Sequence, residues 1–267
     1  MQRQAWISIG ADGRGLSYLD FGGDGRVMLA LHGSFGRGAI FRRLAADLRG
    51  QVRIVAPDQR GHGYSDCAGG FSRDEFVHDA AAFLRRLGLG PVVVLGHSLG
   101  GITAYQLAAH HPELVSALII EDVGPVMRQP RIEHPALDVR GWPRSAATRQ
   151  ELERLILAQG VPDAGYFMQS AVSDGGRWRL LFDWDQMMDV QEGGIGDWWA
   201  DWLGARCPAL VLRSGHSTLL PADLAREMVA RRPRTRLVEF PHAGHWIHDD
   251  DPDGFAHAVA AFLSNGA

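Results

Sequence analysis

Short apolar runs alternate with segments of helical periodicity along this chain of 267 residues. The apolar runs lie at residues 27–31, 52–56, 91–95, 117–121 and 209–212, and a further strand is predicted at residues 236–240. The helical segments lie at residues 39–48, 72–87, 102–110, 222–231 and 252–263. Such short apolar runs are typical of strands that are covered on both faces, as in a parallel sheet. The alternation therefore predicts an α/β fold, in which helices pack on both faces of a mostly parallel sheet.

Two further strands are predicted near the N-terminus, at residues 6–9 and 16–21, on either side of a turn at residues 11–15. A connection this short joins antiparallel strands, so the sheet is expected to begin with an antiparallel edge.

The N-terminus has no apolar stretch of the kind found in signal peptides, and no apolar run is long enough to span a bilayer. We therefore expect a cytoplasmic protein without a membrane partner.

Residues 123–206 break this alternation of strands and helices. They hold six of the eight tryptophans of the chain, at positions 142, 178, 184, 198, 199 and 202. We interpret the interval as a mostly helical insertion that forms a cap over a core made of residues 1–122 and 207–267. Most of these tryptophans are expected to pack inside the insertion. Four aromatic residues are candidates for lining a small-molecule pocket under the cap: Phe35, Trp142, Trp184 and Trp246.

The segment Gly96-His97-Ser98-Leu99-Gly100 has the pattern G-x-S-x-G between an apolar strand and a helix. In a nucleophile elbow the serine lies on a strained strand-to-helix turn with no room for side chains at the glycine positions. The motif alone is a weak signal, but the strand before it and the helix after it are the context that it requires. Ser98 is therefore the candidate nucleophile. The free N–H of Leu99, at the start of the helix, is a candidate donor to an oxyanion.

A second oxyanion donor is expected from His32-Gly33-Ser34-Phe35, which follows the first long apolar strand. The candidate is the backbone N–H of Ser34, just after the glycine. The glycines of this region also suggest a dinucleotide-binding loop, with Asp58 about 20 residues farther on. Their spacing is G-x-x-G-x-G instead of G-x-G-x-x-G, so this interpretation is less favoured and no cofactor is expected.

A general base is expected on the C-terminal side of the serine and the acid. His245 is the candidate, because it follows a strand and Ala243-Gly244 forms a tight loop that projects its ring toward the strand ends. His242 is the alternative. His248, beside an acidic run, and His257, inside a helix, are predicted to lie on the surface.

The acid has to come from an unusual position. No carboxylate follows the late strand at 209–212 before Asp223, which already lies in the next helix. Asp122 ends the strand that follows the helix of Ser98, and a neighbouring strand end can reach the same imidazole. Glu121 is one residue away and points to the other face of a regular strand. Asp122 is therefore the candidate, and the alternatives are Glu121, Asp223 or a serine–histidine pair without an acid.

Together these segments closely resemble the α/β-hydrolase superfamily. The resemblance rests on motifs spread over nearly the whole chain, at residues 31–33, 58–65, 96–101, 207–213 and 243–245. The family implies a mainly structural role for residues 58–65, Asp-Gln-Arg-Gly-His-Gly-Tyr-Ser. The missing acid after the late strand is a departure, but a branch that includes bacterial short-chain esterases has its acid at the position of Asp122. The resemblance implies a serine hydrolase with the triad Ser98, Asp122 and His245.

Composition excludes several other classes of protein. All 27 basic residues are arginine, so a lysine Schiff base, pyridoxal phosphate chemistry and a P-loop lysine are impossible. The net charge is −4 and no basic face stands out, so a nucleic acid partner is not expected. Cys67 and Cys207 form no CxxC pair, and no metal site is predicted. We expect a monomer or homodimer whose partner is a small-molecule substrate.

The expected reaction is hydrolysis of a carboxylic ester or a related acyl bond, such as a lactone or thioester, through an acyl-enzyme. The substrate is expected to be small and apolar or aromatic. The same triad would also serve carbon–carbon bond hydrolysis, cofactor-free oxygenation or perhydrolysis. A ligand-sensing module with slow hydrolysis is a further alternative, because one fold hosts many functions.

Overall fold

The structure, a computed structural model, describes residues 3–10, 13–67 and 69–264. Part of the turn predicted at 11–15 falls on Ala11 and Asp12, which lie outside the described residues. The strands are β1 (Arg3–Ser8), β2 (Gly15–Asp20), β3 (Arg26–Leu31), β4 (Val52–Pro57), β5 (Val92–His97), β6 (Val115–Glu121), β7 (Val126–Met127), β8 (Ser145–Ala146), β9 (Ala171–Asp174), β10 (Arg177–Leu180), β11 (Gly196–Asp197), β12 (Ala209–Ser214) and β13 (Thr235–Phe240). The helices are α1 (Arg42–Asp47), α2 (Arg73–Arg86), α3 (Leu99–His110), α4 (Arg149–Leu157), α5 (Gly165–Met168), α6 (Trp184–Gly194), α7 (Trp199–Gly204), α8 (Ala222–Arg231), α9 (Ile247–Asp250) and α10 (Pro252–Ser264).

The long strands form one sheet in the order β1-β2-β4-β3-β5-β6-β12-β13. The pairs β1–β2 and β2–β4 are antiparallel, and all the pairs from β4 to β13 are parallel. A parallel pair needs a crossover connection, and helices supply it here. The prediction of a mostly parallel sheet with an antiparallel edge is confirmed.

Side chains of the sheet alternate between two apolar layers. Met28 and Ala30 of β3 pack into the layer that includes α1 and α10, whereas Leu29 and Leu31 pack into the layer that includes α2, α3 and α8. All four are at most 1% exposed. Full burial of each leucine or methionine stabilises the fold by roughly 1.5–3 kcal/mol. Burial on both faces explains why these strands are continuous apolar runs.

Residues 123–206 are less helical than the sequence indicates. Besides α4 to α7 they contain a small sheet, β8-β10-β9, and the pair β7–β11. The hairpin β9–β10 turns at Gly175 and Gly176, whose φ angles are 56° and 79°. Two residues with positive φ are what a tight two-residue hairpin demands. At the end of the interval, α7 packs Trp202 against Tyr105 of α3, with ring centroids 6.0 Å apart, before the chain enters β12.

The parallel register brings three strand ends together. Leu31 at the end of β3 pairs with Gly96, and His97 at the end of β5 pairs with Glu121 at the end of β6. The residues that follow these strands therefore meet at one edge of the sheet. This is the edge at which ligands bind in open α/β sheets.

Candidate active site

Ser98 lies on the turn between β5 and α3 with φ 51° and ψ −119°. Positive φ is uncommon for a residue other than glycine and marks local strain. A Cβ at Gly96 would overlap the backbone of Gly100, and a Cβ at Gly100 would overlap the carbonyl of Leu31. Glycine at both positions therefore lets α3 begin directly against β3 and β5. This is the geometry of a nucleophile elbow.

The loop after β3 runs beside this turn. A Cβ on Gly33 would lie 3.0 Å from the Cβ of Ser98. The Gly33 N–H donates to the Tyr166 hydroxyl at 3.0 Å, and the Phe35 N–H donates to His62 Nε2 at 3.3 Å. Burial lowers the pKa of His62 to about 3, so its ring is neutral and can accept this bond. Two N–H groups of the loop are therefore already engaged.

The N–H groups of Ser34 and Leu99 have no hydrogen-bond partner among the described residues. Both residues line the cavity that contains Ser98. Leu99 is the first residue of α3, where backbone N–H groups lack an intrahelical acceptor and the helix dipole favours negative charge. These two groups are available to an oxyanion that forms beside Ser98.

His245 and Asp122 are hydrogen bonded. His245 Nδ1–H donates to Asp122 Oδ2 at 2.9 Å. Asp122 is fully buried, and its Oδ1 accepts the Ser214 N–H at 2.8 Å. Its own N–H donates to the carbonyl of Leu212 at 2.8 Å. The strand β12, which supplies no acid, thus holds the carboxylate of its neighbour with its backbone.

The ring of His245 lines the same cavity as Ser98, and its side chain is 25% exposed. The alternative residues lie elsewhere. Asp223 is exposed and forms an ion pair with Arg131 at 3.2 Å, and His242 is exposed at the surface. The structure therefore brings Ser98, His245 and Asp122 to one site and leaves Asp223 and His242 outside it.

Glu121 makes a second carboxylate–histidine pair behind the first. Its Oε1 accepts from the His248 backbone N–H at 3.1 Å and from His248 Nδ1 at 2.7 Å. Burial alone would lower the pKa of His248, but the neighbouring Glu121 carboxylate holds this pKa above its usual value. The prediction that His248 lies on the surface is wrong, because the side chain is only 3% exposed. The acidic residues next to His248 in sequence suggested a surface position, but its partner is the buried Glu121.

A cavity of about 630 Å³ lies between the strand ends and the insertion. Ligand pockets for small molecules are of this size. Its apolar wall comes from both sides, with Phe35, Leu99, Ile102, Leu219 and Trp246 from the core and Met127, Leu137, Val161, Phe167 and Val190 from the insertion. Among the described residues no arginine lines it, and its one carboxylate is that of Asp250. The cavity wall is thus mostly apolar.

Two of the four aromatic residues expected in the wall do not line it. Phe35 and Trp246 do, but Trp142 and Trp184 lie behind the wall and are 7% and 3% exposed. They pack on each other with ring centroids 5.1 Å apart, and Trp142 also packs on Phe167 at 6.0 Å. Their ring faces are used by other aromatic rings, so Phe167 reaches the cavity in their place.

Tyr166 and Phe167, next to each other on α5, are the functional-site residues that the sequence did not single out. The tetrapeptide helix is too short for a periodicity signal, and α5 has no polar motif. Only the structure shows that both rings face the strand ends.

None of the helices in residues 3–10, 13–67 and 69–264 has the length and hydropathy needed to cross a membrane.

Comparisons with known proteins agree with this fold. Residues 28–258 match the sequence model described as "Alpha/beta hydrolase family". The chain is 31% identical to the sn-1-specific diacylglycerol lipase ABHD11 of Mus musculus, over 93% of this chain and 85% of that protein. It is 24% identical to the esterase YbfF of Escherichia coli, over 89% and 93%. A crystal structure of E-2-(acetamidomethylene)succinate hydrolase superposes with a TM-score of 0.88 at 24% identity, over 99% of this chain and 100% of that one.

Proposed function

Because the chain belongs to the alpha/beta hydrolase family and its relatives are lipases, esterases and hydrolases, we propose that this hydrolase cleaves neutral, apolar carboxylic esters through an acyl-enzyme on Ser98. The observation that carries the proposal is the Asp122–His245 hydrogen bond at the wall of the cavity that contains the Ser98 elbow. Serine, histidine and aspartate in these roles catalyse acyl transfer on several unrelated folds.

Each residue has a defined role in this reaction. Asp122 keeps the proton of His245 on Nδ1, so that Nε2 is free to accept the proton of the Ser98 hydroxyl. The Ser98 oxygen attacks the ester carbonyl, and the N–H groups of Ser34 and Leu99 stabilise the oxyanion. His245 then donates the proton to the leaving alcohol. Water, activated by the same ring, releases the acid from the enzyme.

The cavity supports a neutral and apolar substrate. Carboxylate substrates are usually held by arginine forks, and no arginine lines this cavity among the described residues. The carboxylate of Asp250 at the wall would repel an anion. One relative, from Mesorhizobium japonicum, is named as a hydrolase of 2-(acetamidomethylene)succinate, an anionic compound. The lining of this cavity favours the uncharged esters of the lipase and esterase relatives instead.

The test is a profile of kcat/KM over p-nitrophenyl acetate, butyrate, octanoate and laurate. The mono-p-nitrophenyl ester of succinic acid, which keeps one free carboxylate, is the anionic substrate for comparison. We expect turnover of the neutral esters and little turnover of the anionic ones. Ser98→Ala should remove all but residual activity, a loss of about 10⁶ in kcat if it behaves as serine hydrolases do. A fluorophosphonate should label the wild-type serine and leave the alanine variant unlabelled. Ester turnover that survives in Ser98→Ala would contradict the proposal.

A further inference from the structure

Tyr166 does not line the cavity, yet it contacts the segments that carry the site. It lies on α5 in the insertion and is 1% exposed. Its ring stacks on Trp246, the residue after the base, with centroids 5.3 Å apart and planes at 22°. Its hydroxyl meets the loop after β3 so closely that a Cβ at Gly36 would overlap it. The loop therefore has a glycine where this hydroxyl enters.

The hydroxyl is the middle link of a chain of hydrogen bonds. It accepts the Gly33 N–H at 3.0 Å and lies 3.4 Å from His97 Nδ1. On the other side of the His97 ring, Nε2 lies 3.0 Å from the carbonyl oxygen of His245. The chain thus runs from the oxyanion loop, through the insertion and the elbow, to the loop of the base.

Only one arrangement of protons satisfies every link. A carbonyl oxygen can only accept, so Nε2 of His97 donates to His245. Burial lowers the pKa of His97 well below its usual value, so the ring is neutral and its Nδ1 accepts. The Tyr166 hydroxyl therefore donates to Nδ1 and accepts from Gly33. All the donors in this series of hydrogen bonds therefore point from Gly33 toward His245, and every donor has an acceptor.

We propose that Tyr166 is a positioning residue, whose hydroxyl holds the Gly33 peptide and the His97 ring so that the Ser34 N–H and His245 face the reacting carbonyl together. The inference rests on the proposed function, since it assigns Tyr166 a role in the same reaction. Its consequence is that the insertion completes the oxyanion site as well as covering it. Because Tyr166 does not line the cavity, its hydroxyl does not contact the substrate. It acts through Gly33 and His97.

The test is Tyr166→Phe, which removes one oxygen atom and keeps the stacked ring. The matched control is Tyr105→Phe, since Tyr105 is also fully buried and its hydroxyl donates to the Gly124 carbonyl at 3.4 Å, outside the cavity wall. Tyr166→Phe should lower kcat roughly 10- to 100-fold, as expected for a small misplacement of catalytic groups. KM should change less than about twofold, because ground-state contacts remain. Tyr105→Phe should keep wild-type kcat.

A second readout separates positioning from packing. An alkyl trifluoromethyl ketone forms a tetrahedral adduct with an oxyanion, so its affinity should fall by the same factor as kcat/KM in Tyr166→Phe. Fluorophosphonate titration counts the active sites, so that a loss of folded enzyme is not mistaken for slow chemistry. Unchanged kcat and inhibitor affinity per active site, with only a lower Tm, would overturn the proposal.

If Tyr166→Phe does not fold, His97→Asn tests the same chain. Asparagine keeps an acceptor near the Tyr166 hydroxyl and removes the contact with the His245 carbonyl, so kcat should again fall with KM preserved. Wild-type kcat in this variant would overturn the proposal as well. Failure of the proposed function would look different, since the wild-type enzyme would then neither hydrolyse the esters nor react with the fluorophosphonate.

Discussion

Asp122→Asn removes the negative charge of the proposed acid and keeps almost the same side-chain shape. The carboxylate makes two buried hydrogen bonds, accepting from the Ser214 N–H at 2.8 Å and from His245 Nδ1 at 2.9 Å. An amide has one oxygen and one NH₂ group, so it can satisfy only one of these donors. The Ser214 N–H is part of the backbone of β12 and cannot rearrange, whereas the His245 ring can exchange its tautomer.

The amide oxygen is therefore expected to face Ser214, and the NH₂ group to face His245. The opposite orientation would leave the buried Ser214 N–H without an acceptor, which costs about 1–3 kcal/mol. This difference corresponds to a preference of about 5- to 150-fold. In the preferred orientation His245 Nδ1 must accept, so its proton moves to Nε2. In the proposed mechanism Nε2 removes the proton of Ser98, and a protonated Nε2 cannot do so.

Loss of the negative charge beside the imidazolium adds to the wrong tautomer. The corresponding substitution in a trypsin-like triad lowers kcat about 10⁴-fold, which is about 5.5 kcal/mol. We expect a similar loss of kcat/KM on the best p-nitrophenyl ester. Asp223→Asn is the matched control, because this exposed carboxylate forms an ion pair with Arg131 outside the site and its loss should change activity little.

Two measurements would refute this reasoning. A loss of less than about 10-fold in Asp122→Asn would mean that the hydrogen bond to His245 has no role in proton transfer. The ¹⁵N chemical shifts of His245 report the tautomer directly, and they should show the proton on Nδ1 in the wild type and on Nε2 in the variant. A proton that stays on Nδ1 in the variant would contradict the assigned orientation of the amide.

Two further predictions concern the cavity wall and the second carboxylate–histidine pair. Phe167→Leu, which enlarges the cavity, should shift the octanoate-to-acetate ratio of kcat/KM by about 10-fold, whereas Trp142→Phe, behind the wall, should lower Tm and leave this ratio unchanged; equal ratios in both variants would contradict the wall position. Because the pKa of His248 is raised in the folded state, its pairing with Glu121 stabilises the fold below the ordinary histidine pKa of about 6.5 and is lost as the pH rises through the folded-state pKa. The difference in unfolding free energy between wild type and Glu121→Gln, from urea denaturation, should therefore shrink from about pH 6 to about pH 9, and a difference that grows over this range would contradict the assignment.

Local signals were sufficient to predict the sheet and its main helices. The runs that became β3 to β6 are apolar throughout because both faces are buried. The helix expected at residues 72–87 begins at a capping box, with Ser72 Oγ accepting from the Glu75 N–H and Glu75 Oε2 accepting from the Ser72 N–H. The hairpin β9–β10 was missed, although Gly175-Gly176 is a turn signal, because its strands have only four residues each and half of these residues are exposed. Short exposed strands depend on pairing, which leaves little trace in composition.

The candidate site was predictable where strand ends determine position. Ser98 and Asp122 follow neighbouring strands, so the parallel register brings them to one edge. The aromatic wall was not predictable, because Trp142 and Phe167 are equally apolar and only packing decides which ring reaches the cavity. The role of Tyr166 was not predictable for the same reason. Its three partners, Gly33, His97 and Trp246, lie between 69 and 133 residues away in sequence.

With Asp122 as the proposed acid, the loop after β12 is free to change in sequence. This loop needs only the backbone N–H of Ser214 to hold Asp122. Its shape is maintained by the His216 N–H, which donates to the carbonyl of Ala243 at 3.2 Å, and by the Ser217 hydroxyl, which accepts from the Leu220 N–H at 2.8 Å. His216 and Thr218 line the cavity, and the proposed mechanism assigns them no proton transfer. Random libraries at these two positions would therefore explore new acyl or alcohol preferences while the reactive groups stay intact, a freedom that an acid at the usual place would remove.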